Sequence, residues 1–515
     1  MPRIVIIGAG LSGLATAHYL VKSLSDAGKE AEILLLEADA VPGGKMRTIR
    51  QDGFSMEWGP NGFLTNKPHG MELVKDLGIG GRLARSSDLA RKRFILSGGK
   101  LHRLPETPPA FFGSQLLSVP GRLRILWEPF APGPPADVDE SLGEFARRRL
   151  GPEALEKLID PMVTGIFAGD PDRMSLRSCF PVIYDLERKY GGLVRGMLGV
   201  RKERAKQGEK GEMSAGPGGV LMSFDHGVQA LTDTLAGRLA EGLHLNVAVD
   251  RIERRGEAYV LSMAADGGRE EMTANVVVIA APAYEAAGMV SPLDEGLSEL
   301  LAGIPYSPIT VAALGYAKAT MGNPLDGFGF LIPRGEKRKI LGALWDSSVF
   351  PNRAPEGKAL LRVMVGGVRA PALAVLPEPE LLALVREELG SILGISAEPV
   401  LAKTFFHDRG IPQYLVGHGK RLERIDARLE GLPGIHLNSN AYRGIALNDC
   451  VRESRATAEQ MALKASRDLD RIKIEAQQKI AAAQAEAESL RLQRQNITSD
   501  LVELRRIEAM QEAIR

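Results

Sequence analysis

The sequence predicts an α/β protein: a Rossmann-like nucleotide-binding domain, a mixed-sheet domain, a helical insertion and a long helical C-terminal tail. Three observations predict it. The N-terminal RIVIIGAGLSGLATAHYL reads as a short buried strand, a tight glycine turn and a helix. Apolar strand-like runs (ITVAALGYA, KILGALW, LLRVMVGG) recur between residues 309 and 367. Glycine and proline are plentiful up to Gly444 and absent after it, where strong helix formers take over.

The bulk numbers bound the rest. A chain of 515 residues suffices for two or three packed domains, and 44% apolar with 25% charged residues is ordinary for a globular protein. A net charge of +1 gives no electrostatic argument for nucleic acid. Cys179 and Cys450 make neither a disulfide framework nor a metal site, and the eight histidines lack ligand spacing, so no metal is expected. IVIIG is too short for a signal sequence, and no run reaches the ~18 apolar residues of a spanning helix. A cytoplasmic protein is expected, free to lie on a membrane surface.

The glycine turn is the first site. Gly8 permits the turn, Gly10 lets the backbone approach a pyrophosphate, and Gly13 lets helix and strand pack closely. The N–H groups of Leu11 and Ser12 open the helix toward the phosphates. The second strand, AEILLLEA, ends at Glu37 and Ala38, with Glu37 placed for a ribose hydroxyl. PGGKMRT then supplies Gly43, Gly44 and Lys45, a second glycine pair and a cation for the extended side of a dinucleotide. GFSMEWGPNGFL adds Gly59, Pro60 and Asn61.

Together these pieces resemble the FAD-binding signature of the amine oxidase superfamily. The resemblance implies FAD as cofactor, with Val249 at the adenine and Ala280 at the end of the strand ANVVVIAAPA. It further implies Asn440, Asn448, Asp449 and Val451 at the flavin end, where Asp449 is expected to start a helix. The FAD-binding domain is then discontinuous: 1–90, 220–290 and 415–455.

A closer resemblance covers residues 1–455. RKRFILSGGKLHRLP, DPMVTGIFAGDPDRMSLRSCFP, GFGFLIP, ILGALWDSSVFPNRAP and NAYRGIALNDCVRES are similar to the oxygen-dependent protoporphyrinogen/coproporphyrinogen oxidase family. The resemblance implies a substrate domain at 91–104 and 291–414. Arg93 is expected to pair with a substrate propionate, Leu331 and Leu344 to sandwich a pyrrole ring, Met364 to press on the macrocycle, and Gly165 and Asn61 to border the pocket near the flavin. The implied reaction oxidises protoporphyrinogen IX to protoporphyrin IX in haem biosynthesis, with dioxygen as acceptor and hydrogen peroxide as product. Coproporphyrinogen III is the alternative substrate. No acid–base residue is demanded, because the cofactor carries the hard chemistry and the chain positions the substrate. Two departures stand out: Ser439 and Ser454 occupy positions where relatives carry glycine.

Residues 105–219 interrupt this pattern. Phe111, Phe112, Trp127 and Phe130 alternate with Arg122 and Arg124, a composition suited to a bilayer interface. The family's equivalent region is a helical membrane-associating insertion; a buried helical cap is the other reading. Arg201 to Gly219 reads as a solvated loop.

The helical tail spans 456–515; its part from 466 to 515 resembles the C-terminal helical region of the stomatin/prohibitin/flotillin group, and Ser499 is placed to cap a new helix within it. Three readings stay open for it: a homo-oligomer contact, a lone charged helix, or an appendage foreign to the enzyme. A catalytically impaired scaffold acting through this tail is the alternative of another class.

Overall fold

The computed structural model describes residues 1–134, 138–206, 219–265 and 268–515. A five-stranded sheet lies in the order Leu243–His244, Glu32–Leu36, Arg3–Ile7, Val276–Ile279 and Ile435–Leu437, all in parallel. Arg3–Ile7 is apolar and buried from Ile4 onward because a central parallel strand is covered on both faces. Ile4 and Ile6 pack with helices Leu11–Asp26 and Gln229–Arg238 and the start of the C-terminal helix. Val5 and Ile7 pack on the other side with helices Ala283–Val290 and Glu295–Ala302 and the antiparallel hairpin Ala248–Arg255/Ala258–Ala265.

A second, seven-stranded sheet runs Leu401–Pro412, Tyr306–Ala317, Lys358–Gly366, Ile340–Leu344, Gly329–Leu331, Arg93–Ser97, Lys100–Arg103. It is mixed: Gly329–Leu331 pairs in parallel with Arg93–Ser97, and the other pairs are antiparallel. The three strand-like runs of the sequence all fall in it. One face, with Leu314, Phe330, Ala343 and Val363, packs against the amphipathic helix Glu378–Leu393.

The insertion is helical, from Pro108–Gly113 to Leu193–Lys206. Its core includes ions: Arg149, fully buried, lies 2.5 Å from Glu187, and the Glu128 carboxylate accepts the N–H groups of Leu193 and Val194 at 2.8 and 3.1 Å. The expected loop from Arg201 is corrected in part. Residues through Lys206 continue the helix, as their helix-forming side chains favour; 207–218 lie outside the described residues.

The C-terminal helix is one element, Leu447–Glu512, starting two residues before the expected Asp449. Its side chains are buried against the body as far as Ala462. The expected new start at Ser499 does not occur, because helix formers on both sides outweigh one capping signal. Among the described residues no helix is long and apolar enough to cross a membrane.

Candidate cofactor and substrate site

The glycine loop sits at the carboxyl end of Arg3–Ile7. Gly8 has φ +100°, and a Cβ there would stand 3.2 Å from the Ala280 carbonyl carbon. A Cβ on Gly13 would lie 1.8 Å from the Gly8 oxygen, so that position admits no side chain. A Cβ on Gly10 would meet nothing within 4 Å. The protein's own packing therefore leaves the space beside Gly10 open. Helix Leu11–Asp26 has no side-chain cap, and its first-turn N–H groups, those of Leu11, Ser12 and Gly13, need an acceptor from outside the helix. Such a cradle fits a pyrophosphate.

The second glycine pair lies against the first. Gly43 donates its N–H to the Ala9 carbonyl at 2.7 Å, and a Cβ on Gly44 would be 3.3 Å from the Gly10 Cα. Glu37 shapes the same loop: one carboxylate oxygen accepts the Ala9 N–H at 2.6 Å and the other the Asp39 N–H at 3.0 Å. Ala38 is exposed beside it. Val249 is buried in the core that holds Leu36, and Val247 donates to the Glu37 carbonyl at 2.8 Å.

At the other end the side chains tie segments of the chain together. Lys45 donates to the carbonyls of Arg409, at 2.8 Å, and Gly410, so it ties the loop to the strand Leu401–Pro412. Burial lowers its amine to about 8. Asn448 accepts the Gly70 N–H at 2.8 Å and donates to the Leu64 carbonyl at 2.9 Å, while Asp449 pairs with Lys67 at 2.6 Å. These two side chains brace segment 64–70. Val451 is core, packed with Leu11 and Leu14. The Asn440 carbonyl accepts the Tyr414 hydroxyl at 2.6 Å.

Both serine departures have a place. The Ser439 hydroxyl turns back onto its own loop, accepting the Ala441 N–H at 3.3 Å. The Ser454 hydroxyl accepts from Asn438 at 3.0 Å and shares its one hydrogen between the Cys450 carbonyl at 2.8 Å and the Ser12 carbonyl at 3.0 Å, while Asn438 also donates to Thr16 at 2.7 Å. Ser454 thus pins the C-terminal helix to the glycine-loop helix.

The mixed sheet brings the expected substrate residues together. Met364 lies opposite Gly342, which lies opposite Leu331; Leu344 lies opposite Gly329, which is level with Arg93. Directly paired residues share a face and alternate residues return to it. Arg93, Leu331, Leu344 and Met364 therefore occupy one face, turned away from helix Glu378–Leu393. Gly165, on helix Asp160–Phe167, abuts it: a Cβ there would be 2.9 Å from a Leu331 methyl. Arg93 lies over the Phe328 ring at 5.3 Å, and burial holds its guanidinium below its usual value against the pull of Glu106.

The profile of the flavin-containing amine oxidoreductases matches residues 11–462. The chain belongs to that family. Its cofactor is FAD, and the open cradle at Gly10 suits the pyrophosphate that FAD carries. Among relatives of this flavoprotein, the coproporphyrinogen III oxidase of Bacillus subtilis (strain 168) is 31% identical over 464 residues, 88% of this chain and 96% of the relative. The chloroplastic protoporphyrinogen oxidase of Nicotiana tabacum is 31% identical over 475 residues, 89% and 85%. Among solved structures, that of the "Putative protoporphyrinogen oxidase" from Exiguobacterium sp. 255-15 matches with TM-score 0.76 and 28% identity, covering 90% of this chain and 99% of that one. A reduced UDP-galactopyranose mutase, at 18% identity and TM-score 0.67, shares the fold.

One part of the flavoprotein's site escaped the sequence reading. On the substrate face beside Leu344, Arg362 donates to the Gly59 carbonyl at 2.6 Å and lies 3.1 Å from Asp346. Asp346 accepts from Asn61 at 3.3 Å. Arg353 lies 2.5 Å from Glu57, both fully buried. Burial pushes the Glu57 and Asp346 carboxyls up, and the arginines beside them pull the other way. His407, whose ring nitrogen is 3.0 Å from the Trp58 carbonyl, adds a further tie. The segment Glu57–Asn61, with Pro60 exposed at its turn, is thus held from the substrate sheet by a neutral quartet of buried charges.

Proposed function

We propose that this flavoprotein oxidises a porphyrinogen to a porphyrin in haem biosynthesis, with dioxygen as acceptor. The observation that carries this is the register that puts Arg93, Leu331, Leu344 and Met364 on one face, since it offers a cation at one end of an apolar floor. An amphipathic macrocycle with carboxylate arms matches that arrangement. Arg93 grips a propionate bidentately and fixes register. Leu331, Leu344 and Met364 support the rings, and Gly165 leaves the approach free of a side chain. Asn61, tethered to Asp346, borders the reacting edge.

Bound FAD supplies the two-electron acceptor. Three rounds remove six hydrogens from the porphyrinogen and convert three dioxygen molecules to three hydrogen peroxide molecules. The chain's contribution is orientation in a water-poor slot. Protoporphyrinogen IX and coproporphyrinogen III are the two candidate substrates, and the likeness to the Bacillus subtilis relative supports the latter.

We place the protein in the cytoplasm, peripherally on a membrane. Phe112, Leu123, Trp127 and Phe130 are all exposed on the insertion, with the Trp127 and Phe130 rings 4.9 Å apart and tilted, an apolar surface of the kind bilayer interfaces bind. The test of function is incubation of FAD-loaded protein with each porphyrinogen under air, following porphyrin fluorescence and peroxide. Oxidation of neither substrate by yellow, folded protein overturns the reading in favour of a scaffold.

A further inference from the structure

Beyond the Leu331 end of the substrate face lies a cleft of about 330 Å³. Four cations line it, Arg334, Arg338, Lys339 and Arg369, with one carboxylate, Asp170. Its apolar wall is continuous with the substrate face, because Leu341 lines the cleft and packs with Met364 and Ala168.

The cleft and Arg93 sit at opposite ends of the same hairpin. Arg93 is level with Gly329, and Arg334 follows Gly329 by five residues, at most about 17 Å along an extended chain. That span is comparable to a tetrapyrrole with a propionate arm on each side.

The four cations have counter-charges: Asp160 is fully buried and Glu388 nearly so, whereas Asp170, Asp172 and Glu387 are reached by solvent. Arg334 donates to the fully buried Asp160 at 3.1 Å and lies 3.5 and 3.1 Å from Asp170 and Asp172. Arg369 pairs with the same Asp160 and donates to the Ile332 carbonyl at 3.4 Å. Arg338 faces Glu388 at 3.6 Å and Ser391 at 3.0 Å; Lys339 faces Glu387 at 3.4 Å. A guanidinium has five N–H donors, so a partner on one edge leaves others for a ligand. The Arg334 side chain is 40% exposed and that of Lys339 53%, so both can reach an incoming carboxylate.

We infer that this cleft is a second carboxylate subsite, and that it makes the site prefer a tetrapyrrole with carboxylates on opposite edges over one with carboxylates on a single edge. The inference rests on the porphyrinogen reading and decides between its two substrates. Protoporphyrinogen IX carries propionates on two neighbouring rings only. Coproporphyrinogen III carries one on each ring, so Arg93 and the cleft are engaged together. The buried Asp160 fixes the subsite's geometry: its carboxylate holds Arg334 and Arg369 at the root of the helix that carries Gly165.

The test compares kcat/KM for the two porphyrinogens in the FAD-loaded full chain and in the double variant Arg338→Gln/Lys339→Gln. Glu388 keeps the Lys339 backbone N–H as a partner in that variant. The expected result is a fall of about tenfold in the coproporphyrinogen-to-protoporphyrinogen ratio, carried by KM, the scale of one lost charge-assisted hydrogen bond. On the unaltered protein, KM for coproporphyrinogen should rise more steeply with salt than KM for protoporphyrinogen. An unchanged ratio, or equal salt slopes, with both substrates still oxidised overturns the subsite alone. Oxidation of neither substrate by the unaltered protein overturns the porphyrinogen reading itself.

Discussion

Arg93 has no carboxylate within ion-pair distance among the described residues, although burial disfavours its charge. A half-buried cation without a partner is costly unless a ligand supplies one. Arg93→Ala should therefore lower kcat/KM for a porphyrinogen by about 10- to 100-fold, from about 1.5–3 kcal/mol for a hydrogen bond to a charged group. FAD content should not change, and Arg93→Lys should recover only part of the loss, because an ammonium lacks the planar fork. The glycines separate a packing role from a binding role. Gly13→Ala should fail to fold, since its Cβ would overlap the Gly8 oxygen, whereas Gly10→Ala should fold, by circular dichroism, yet bind FAD weakly. Lys45 gives a pH prediction for the apoprotein. Its native value of about 8 lies below its ordinary 10.5, so between these pH values the unfolded chain holds a proton that the native chain has lost. Stability contributed at Lys45 then rises with pH across that window, by up to about 3 kcal/mol. Apoprotein melting temperatures should show wild type gaining on Lys45→Met from pH 8 to pH 10, and parallel curves would refute the assignment.

At the scale of elements, the buried quartet joins segments that no local pattern connects. Asn61 and Asp346 are 285 residues apart, and Arg362 reaches back 305 residues to Glu57. Glu57→Ala should cost about 3–5 kcal/mol, because it strands the fully buried Arg353 without its partner. Urea titration measures it, and a loss below 1 kcal/mol would mean that the quartet is hydrated. The contrast shows what was legible in the sequence. The glycine loop, the three central strands of the parallel sheet and three of the seven strands of the mixed sheet were readable because their signals are local: turn glycines, apolar runs and helix periodicity. The substrate residues were named only through resemblance, and the strand register is what places them on one face. Lys45, Asn448 and Asp449 were expected at the cofactor. Their side-chain partners within the chain, Gly410, Leu64 and Lys67, come from distant segments, and only the packed structure assigns them. The same holds for Ser454, a departure from glycine whose hydroxyl serves an interhelix contact.

At the scale of the molecule, the C-terminal helix changes character without changing geometry. Up to Ala462 it is part of the nucleotide-binding core, and the family match ends at residue 462 as well. Beyond Lys464 the helix continues to Glu512, a rod of about 70 Å at 1.5 Å per residue. Every described side chain from Gln477 onward is exposed, including Leu490, Leu501, Leu504, Ile507 and Met510. A rod whose described side chains are all exposed adds no visible burial to the stability of the body. Removing residues 466–515 should therefore leave the melting temperature within about 1 °C, and FAD content unchanged, since burial is what stabilises. Removing residues from Leu447 onward should abolish folding, because it strips Val451, Ala458 and Met461 from the core and leaves Asn438 without Ser454. The two truncations together locate the boundary between enzyme and rod. If the shorter one also lowers the melting temperature by several degrees, the rod is packed in solution. Sedimentation of the full chain across a hundredfold concentration range would then say whether a second copy packs it, since exposed leucines and isoleucine along one helix are what a paired helix would cover.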